Sequence, residues 1–463
     1  MNQRVATIVY VLGILGLFYL DRDLISRVSK GLWVPVVWLL IVGSRPVSSW
    51  LQSGPTISQA NAEGSPIDAA VYGIIVLAGI VVLCTRSRKV GPWLRANWAI
   101  LLFFAYCLLS IYWSDYNFVA FKRWIKAIGD LVMVLVVLTD PDPQTATKRF
   151  FSRAAFVLLP LSVLFIKYYP DLGRAYDPWT WVPMLCGVTT FKNLLGMTCL
   201  VCGLGSVWSF SGAFLDGALP NRWRHLTAHG IVILTALWLI YTADSMTSMS
   251  CLLMASTLIV LTMQRRHSAR IRTANLLIVS CVGLSLCSLF LDPSTMLKSI
   301  GRDPTLTGRT NIWKAVLDQH TDPWIGTGFE SFWMGDRMLA VDRVTEKGIQ
   351  EAHDGYLEVY LNLGFVGIGL LALVAVNGYR NAVAVFRRDA HAGRLRLAFI
   401  TAGLIYSLTE AGFRMMSPIW IGFLLAVTVV PPEPRRRETP QSAKLRVKQV
   451  KQIETPMETA DVY

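Results

Sequence analysis

The stretch IDAAVYGIIVLAGIVVLC, Ile67–Cys84, is followed at once by TRSRK, Thr85–Lys89. Its single charged residue is Asp68. A helix of about 20 apolar residues crosses a bilayer core. In lipid, only helices and closed barrels satisfy every backbone group. A barrel strand would alternate apolar and polar over about ten residues, whereas this run is apolar on all sides. It therefore reads as a membrane-spanning helix. Arg86, Arg88 and Lys89 mark its cytoplasmic end, because basic loops stay inside.

Similar runs recur on both sides of it: Val5–Leu20, Gly31–Ser49, Asn97–Trp113, Trp124–Thr139, Ala154–Tyr169, Leu194–Phe210, Leu226–Ala243, Thr247–Met263, Ala274–Leu291, Tyr356–Val376, Leu397–Ala411 and Ser417–Val430. About 12 or 13 spans are expected. The purely apolar part of Gly31–Ser49 is short, and Arg45 falls near its end. The first run lacks a small-residue cleavage site and reads as a retained span. Composition agrees: of 463 residues, 53% are hydrophobic and 16% charged, where soluble domains average about 25% charged. Disorder over most of the chain and a disulfide-stapled secreted scaffold are both excluded. The chain reads as an all-α, polytopic membrane protein.

The net charge is +14. In a soluble protein that would raise nucleic acid. Here alternate connections are basic, from Arg22, Arg27 and Lys30 through Lys148, Arg149 and Arg153 to Arg387, Arg388, Arg394 and Arg396. The intervening short connections hold Arg45, Lys122, Arg123, Arg174 and Arg414. The charge reports orientation, and no nucleic-acid role is needed.

Two segments break the pattern, giving four expected regions: 1–291, 292–355, 356–430 and 431–463. Asp292–Gly355 is a long loop opposite the basic side, with ten acidic and seven basic residues. Its Trp, Phe and Gly content suggests that it folds, and long loops of this kind are usually functional or disordered. Residues 431–463 form a basic tail, expected to be disordered and to lie near anionic lipid heads.

The chain lacks a GxxxxGK[ST] phosphate loop, an HExxH and paired metal-ligand spacings. Cys199 and Cys202 spell CxxC inside an apolar span, where Cys packs as a small hydrophobe. The outer side carries more. Thr307 followed by Arg309–Trp313 looks like a helix entry running to about His320. Arg302 and Arg309 near a helix N-terminus suit phosphate; salt bridges to Asp303, Asp318 or Asp322 are the structural alternative. His353 lies where the loop re-enters the membrane and could act as a general base or as a hydrogen-bonded loop residue. Lys192 and Asn193 open the span after Gly187-Val-Thr-Thr-Phe. A lysine at that depth snorkels or meets an anion. Lys167, Arg174 and Tyr176 lie just upstream in the same outer loop. Lys126 and Asp130 share a helix face at i, i+4 and are expected to pair. Glu410 and Arg414 are also expected to serve structural pairing. Several cations with one plausible base suit a lipid-linked diphosphate, because positive charge is needed where the departing diphosphate gains negative charge.

The LTGRTNIW segment, the HDGYLE segment followed by LGFVGIGLL, and GVTTFKNLLG resemble the O-antigen ligase and polymerase family, most closely its exopolysaccharide-production branch. The early IVGSRPVSSW is similar to that branch too. The likeness spans most of the membrane region, with the motifs in the family's order. It implies a membrane-embedded, all-helical glycosyltransferase resembling the GT-C type. It implies a bacterial inner-membrane location with the site facing the periplasm, and donors carrying glycans on undecaprenyl diphosphate. No metal, cofactor or nucleotide sugar is implied, and the anomeric centre is inverted. Implied partners are the lipid-linked oligosaccharide, an acceptor glycan, membrane lipids and other polysaccharide assembly proteins.

Residue by residue, Arg309 matches a family arginine for the diphosphate and His353 the family's base. Lys192 falls where the ligases have Arg, which favours the polysaccharide-production branch. The family's His-Asn is here His353-Asp354. Arg302 and Arg174 are further expected diphosphate contacts. Polymerisation is expected ahead of ligation. A lipid-linked oligosaccharide flippase is the rival, and it would want polar groups spread over many spans with repeat symmetry.

Overall fold

The computed structural model describes residues 2–23, 28–51, 65–86, 90–176, 182–217, 219–263, 272–273, 275–276, 278–280, 309–345 and 350–431. The expectations for Arg302, for a Thr307 cap and for a disordered tail over 432–463 lie outside the described residues, as does most of the Ala274–Leu291 span.

Helices carry the described chain. Those of five residues or more are α1 Gln3–Leu20, α2 Trp33–Val42, α3 Val47–Leu51, α4 Pro66–Cys84, α5 Val90–Ala96, α6 Trp98–Leu109, α7 Asn117–Leu138, α8 Pro143–Tyr168, α9 Lys192–Leu215, α10 Arg222–Thr242, α11 Met246–Leu261, α12 Arg309–Leu317, α13 Gly335–Thr345, α14 Gly355–Arg388, α15 Ala390–Tyr406 and α16 Pro418–Val427. A small antiparallel pair, Arg174–Tyr176 with Pro183–Leu185, joins α8 to α9. Among the described residues, six helices (α1, α4, α8, α9, α10 and α14) are long and apolar enough to cross a membrane, and four shorter apolar ones accompany them.

Burial sorts these helices. In the apolar window of α9, 83% is buried, against 11% in α1 and 17% in α4. The first is the bundle's axis, packed against α8, α10, α11, α15 and α16. The other two present Ile8, Leu12, Ile74 and Leu77 outward, as lipid-facing helices do. Cys199 and Cys202 are fully buried in α9 and unbridged, as a packing role requires.

Three readings change. The run Gly31–Ser49 is not one helix: α2 ends at Val42 and α3 restarts at Val47. Asp130 does not serve Lys126. It accepts from the indole of Trp38 at 2.8 Å and from the Met416 amide at 2.9 Å, while the Lys126 ammonium lies over the Tyr72 ring. The third change concerns α14, which runs past the expected Val376 to Arg388 and is broken at Gly364, with φ 63° and ψ −165°. The break is filled by the long loop that precedes α14, expected on the outer side and called the outer loop below. Phe365 and Val366 amides donate to the carbonyls of Pro323 and Trp324 at 2.9 and 3.1 Å, and Thr327 and Gly328 amides donate to Leu361 and Asn362. Irregular backbone at a membrane boundary is tolerated when protein satisfies it. The outer loop is thereby locked to the first turns of α14. Its described part buries its own small core of Ile312, Val316, Phe332, Trp333 and Val341.

The two ends of the bundle differ. At one, Asp21 meets Lys148 at 3.0 Å and His225 at 2.7 Å, tying α1, α8 and α10 together. At the other lie the motif residues of the sequence.

Candidate active site

Lys192 and Asn193 form the first turn of α9. The loop before them is held by Arg45, whose guanidinium donates to the carbonyls of Thr189 at 3.0 Å, Gly187 and Leu172. Gly187 sits at φ 57°, where a side chain would also press on Ser162 at 2.7 Å. Arg45, noted in the sequence only as an outer cation, therefore shapes the approach to Lys192. The Lys192 ammonium is 4.0 Å from the Asp244 carboxylate in the α10–α11 turn.

The centre of the cluster is Glu410, in the turn after α15. Its side chain is 7% exposed, and Nη2 of Arg309 lies 2.6 Å from its Oε1. The other arm of that guanidinium donates to the Thr409 carbonyl. The Asn193 amide nitrogen approaches both Glu410 oxygens, at 3.3 and 3.2 Å. His353 Nδ1 faces Glu410 Oε2 at 3.2 Å and Glu351 Oε1 at 3.1 Å. One N–H is thus shared between two carboxylates, which leaves Nε2 as the ring's other nitrogen for chemistry.

Local sequence explains how His353 gets there. Asp354 caps α14, accepting from the Tyr356 and Leu357 amides at 2.8 and 2.9 Å. Asn and Asp cap equally well, so Asp354 serves this cap as an Asn would. The Gly355 amide donates to the Ser407 carbonyl at 2.7 Å, which pins the motif to the end of α15. His353 itself adopts φ 51°, a left-handed conformation that a non-glycine residue holds only when its surroundings impose it.

A second ring of charge surrounds the first. Arg414 Nε lies 3.3 Å from Glu330 and its Nη1 3.7 Å from Glu351. Arg123 of α7 donates to the Glu330 carbonyl. Beneath the motif, the Trp333 indole and the Ala352 amide donate to Glu358, and the Trp313 indole donates to the Ala352 carbonyl at 2.8 Å. The outer loop, α12 and α14 are therefore one unit around His353.

The electrostatics follow from this packing. Burial works against a charged imidazole, but hydrogen bonds to Glu351 and Glu410 outweigh it and push the His353 pKa up to about 9. Burial likewise opposes the Glu351 charge, yet His353, Arg414 and Arg309 hold its carboxyl below the usual range. For Arg414, burial is outweighed by Glu330, Glu358 and Glu351, which raise its pKa. At neutral pH the substrate-free His353 carries a proton. Glu351, His353 and Glu410 also bring one ligand atom each to within 4.8 Å of one another, a spacing a divalent cation could use. Arg309 and Arg414 already lie against the same carboxylates and balance them.

Of the residues singled out in sequence, Arg309 and His353 share Glu410, and Lys192 adjoins its third partner, Asn193. Arg174 stands elsewhere: its guanidinium donates to the Ile166 carbonyl at 3.0 and 3.2 Å, at the end of α8. Sequence reasoning missed Glu351 and Glu330, and it took Glu410 and Arg414 for structural pairing. Both do pair, but with partners on other elements. Their signal was the rarity of ionisable residues at the rim of a span.

Comparison with known proteins agrees with the motifs. Residues 230–372, which include Arg309 and His353 but not Lys192 or Glu410, match the family described as O-antigen ligase. Over 362 residues the chain is 24% identical to the "Exopolysaccharide production protein ExoQ" of Rhizobium meliloti (strain 1021), covering 75% of this chain and 79% of that protein. Both comparisons support the family that the motifs resemble, the O-antigen ligase and exopolysaccharide-production proteins.

Proposed function

We propose that the chain is a membrane glycosyltransferase that polymerises exopolysaccharide or O-antigen-like repeat units. It takes them from undecaprenyl-diphosphate donors at the periplasmic face of the inner membrane. The reading rests on one observation above all: Arg309 and His353, more than forty residues apart in sequence, meet at one buried carboxylate, with Asn193 beside Lys192 on the same group.

In this reading Arg309 and Lys192 hold the donor diphosphate, with Arg302 as a further contact. Arg174 would join only by leaving the Ile166 carbonyl. The acceptor hydroxyl attacks the anomeric carbon from the face opposite the diphosphate, and the bond from that carbon to the diphosphate oxygen breaks. Fixed cations stabilise the charge that develops on the leaving group. The hydroxyl proton passes to Nε2 of His353, whose Nδ1–H the two carboxylates orient. For this step the ring must first lose its resting proton. Two carboxylates make it hold that proton tightly, and the same effect makes the free imidazole a stronger base.

A ligase that passes the glycan to a different acceptor is the second reading, favoured by the description of the family matched over residues 230–372. The test is extension of undecaprenyl-diphosphate repeat units by the purified chain. A ladder of longer glycans marks a polymerase, and transfer to an added acceptor without a ladder marks a ligase.

A further inference from the structure

We propose that Glu410 is an internal substitute for the donor's diphosphate: it fills the anion seat in the ligand-free protein, and donor binding must displace it from Arg309. The inference rests on the donor-site reading of Arg309 and Lys192 given above.

The seat is recognisable by what surrounds the carboxylate. Glu410 is held by one arm of a guanidinium at 2.6 Å, a side-chain amide at 3.2 and 3.3 Å, and an imidazole at 3.2 Å. Asn193, the amide, lies in the first turn of α9, where the helix dipole favours negative charge. Arg forks, amide N–H groups and a helix N-terminus are what an oxyanion ligand is recognised by. Here a side chain of the protein itself takes the place of such a ligand.

Charge balance makes the consequence sharp. Around the seat, Arg309, Arg414 and protonated His353 face Glu330, Glu351 and Glu410. Three positive charges meet three negative ones, and Arg123 at Glu330 and Asp354 near Arg309 add one of each sign, so an arriving diphosphate finds no surplus of positive charge among them. The looser cation is Lys192, whose side chain is 39% exposed and whose partner Asp244 is 4.0 Å away and 66% exposed. A diphosphate therefore meets Lys192 first and gains Arg309 only by exchange with Glu410. The exchange leaves Glu410 beside His353 Nδ1, released from the guanidinium. Donor binding would thereby strengthen the carboxylate's hold on that N–H as the acceptor arrives.

The test is binding of inorganic diphosphate, and in a parallel arm undecaprenyl diphosphate, to the purified full-length chain in detergent. Wild type is compared with Glu410→Gln, Arg309→Gln and the double variant. The amide in Glu410→Gln removes the competing charge. Affinity should rise on the order of tenfold, the usual scale of one coupled site on another. Arg309→Gln should weaken binding, and Glu410→Gln should tighten nothing in its presence. A purely structural Glu410 gives no tightening. Unchanged or weaker binding by Glu410→Gln, with Arg309→Gln still weakening it, overturns the proposal. If wild type binds no diphosphate that Arg309→Gln can reduce, the donor-site reading itself fails and takes this proposal with it. Should Glu410→Gln not fold, Glu410→Asp decides. Its carboxylate is drawn back from Arg309, so tighter binding supports displacement and unchanged or weaker binding refutes it.

Discussion

The protonation of His353 turns the proposed chemistry into a sharp pH dependence. Its pKa is lifted from 6.5 to about 9 by the two carboxylates on Nδ1. A group with that pKa is about 1% deprotonated at pH 7, since each pH unit below the pKa is a factor of ten. If the free imidazole is the base, kcat/KM should rise about tenfold per pH unit from 7 toward 9 and level off above it. That parameter reports the groups of the free enzyme, so the substrate-free geometry applies. The same shift sets a stability window. The folded pKa is raised, so the stabilisation is complete below pH 6.5 and is lost as pH rises through 9. At 1.36 kcal/mol per unit, it amounts to about 3 kcal/mol. His353→Gln should abolish both the activity and the stability slope between those pH values. Initial rates of glycan extension from pH 6 to 10, with unfolding of the same samples followed by intrinsic fluorescence, measure the two together. A rate that is flat or falling from pH 7 to 9 would refute the base assignment. A falling rate would make His353 a working cation instead.

Gly364→Ala should destabilise the junction of the outer loop with α14. A Cβ there meets the Trp324 carbonyl at 2.2 Å, in a backbone region essentially closed to alanine, and the strain alone costs about 1–3 kcal/mol; limited proteolysis should cut the outer loop faster. Arg414→Ala strips Glu330 and Glu351 of their guanidinium, and leaving part-buried carboxylates without that partner costs about 1–3 kcal/mol. Its melting temperature in detergent should fall well below that of wild type, and an unchanged value would show that the second ring of charge is unimportant. At the opposite end, Asp21→Ala leaves Lys148, His225 and His229 without their common carboxylate. It should lower thermal stability while leaving the Km for donor unchanged.

Much of the helical framework was legible because apolar runs such as Ile67–Cys84 and Leu194–Phe210 report burial in lipid or bundle directly. The motif residues were legible too, since polar groups at the rim of a span are expensive and stand out. What escaped depends on tertiary partners. The break at Gly364 exists because carbonyls of Pro323 and Trp324, some forty residues earlier, supply what the helix gives up. Local spacing suggests Lys126 with Asp130, but the Trp38 indole from another helix and the Met416 amide occupy the buried carboxylate instead. Glu410 and Arg414 sit close in sequence and look like partners. The fold instead gives Glu410 to Arg309 and His353, and Arg414 to Glu330 and Glu351. Arg174 has the right side and charge, yet its guanidinium is used on the end of α8.

The most direct test is reconstitution of the purified chain with undecaprenyl-diphosphate repeat units, comparing wild type, Arg309→Ala and His353→Ala. Wild type is expected to build longer lipid-linked glycans, and each variant should lose that ladder while remaining folded. Variants that extend glycans like wild type would contradict the site. Authentic repeats that cross a liposome bilayer without ever being joined would contradict the enzyme.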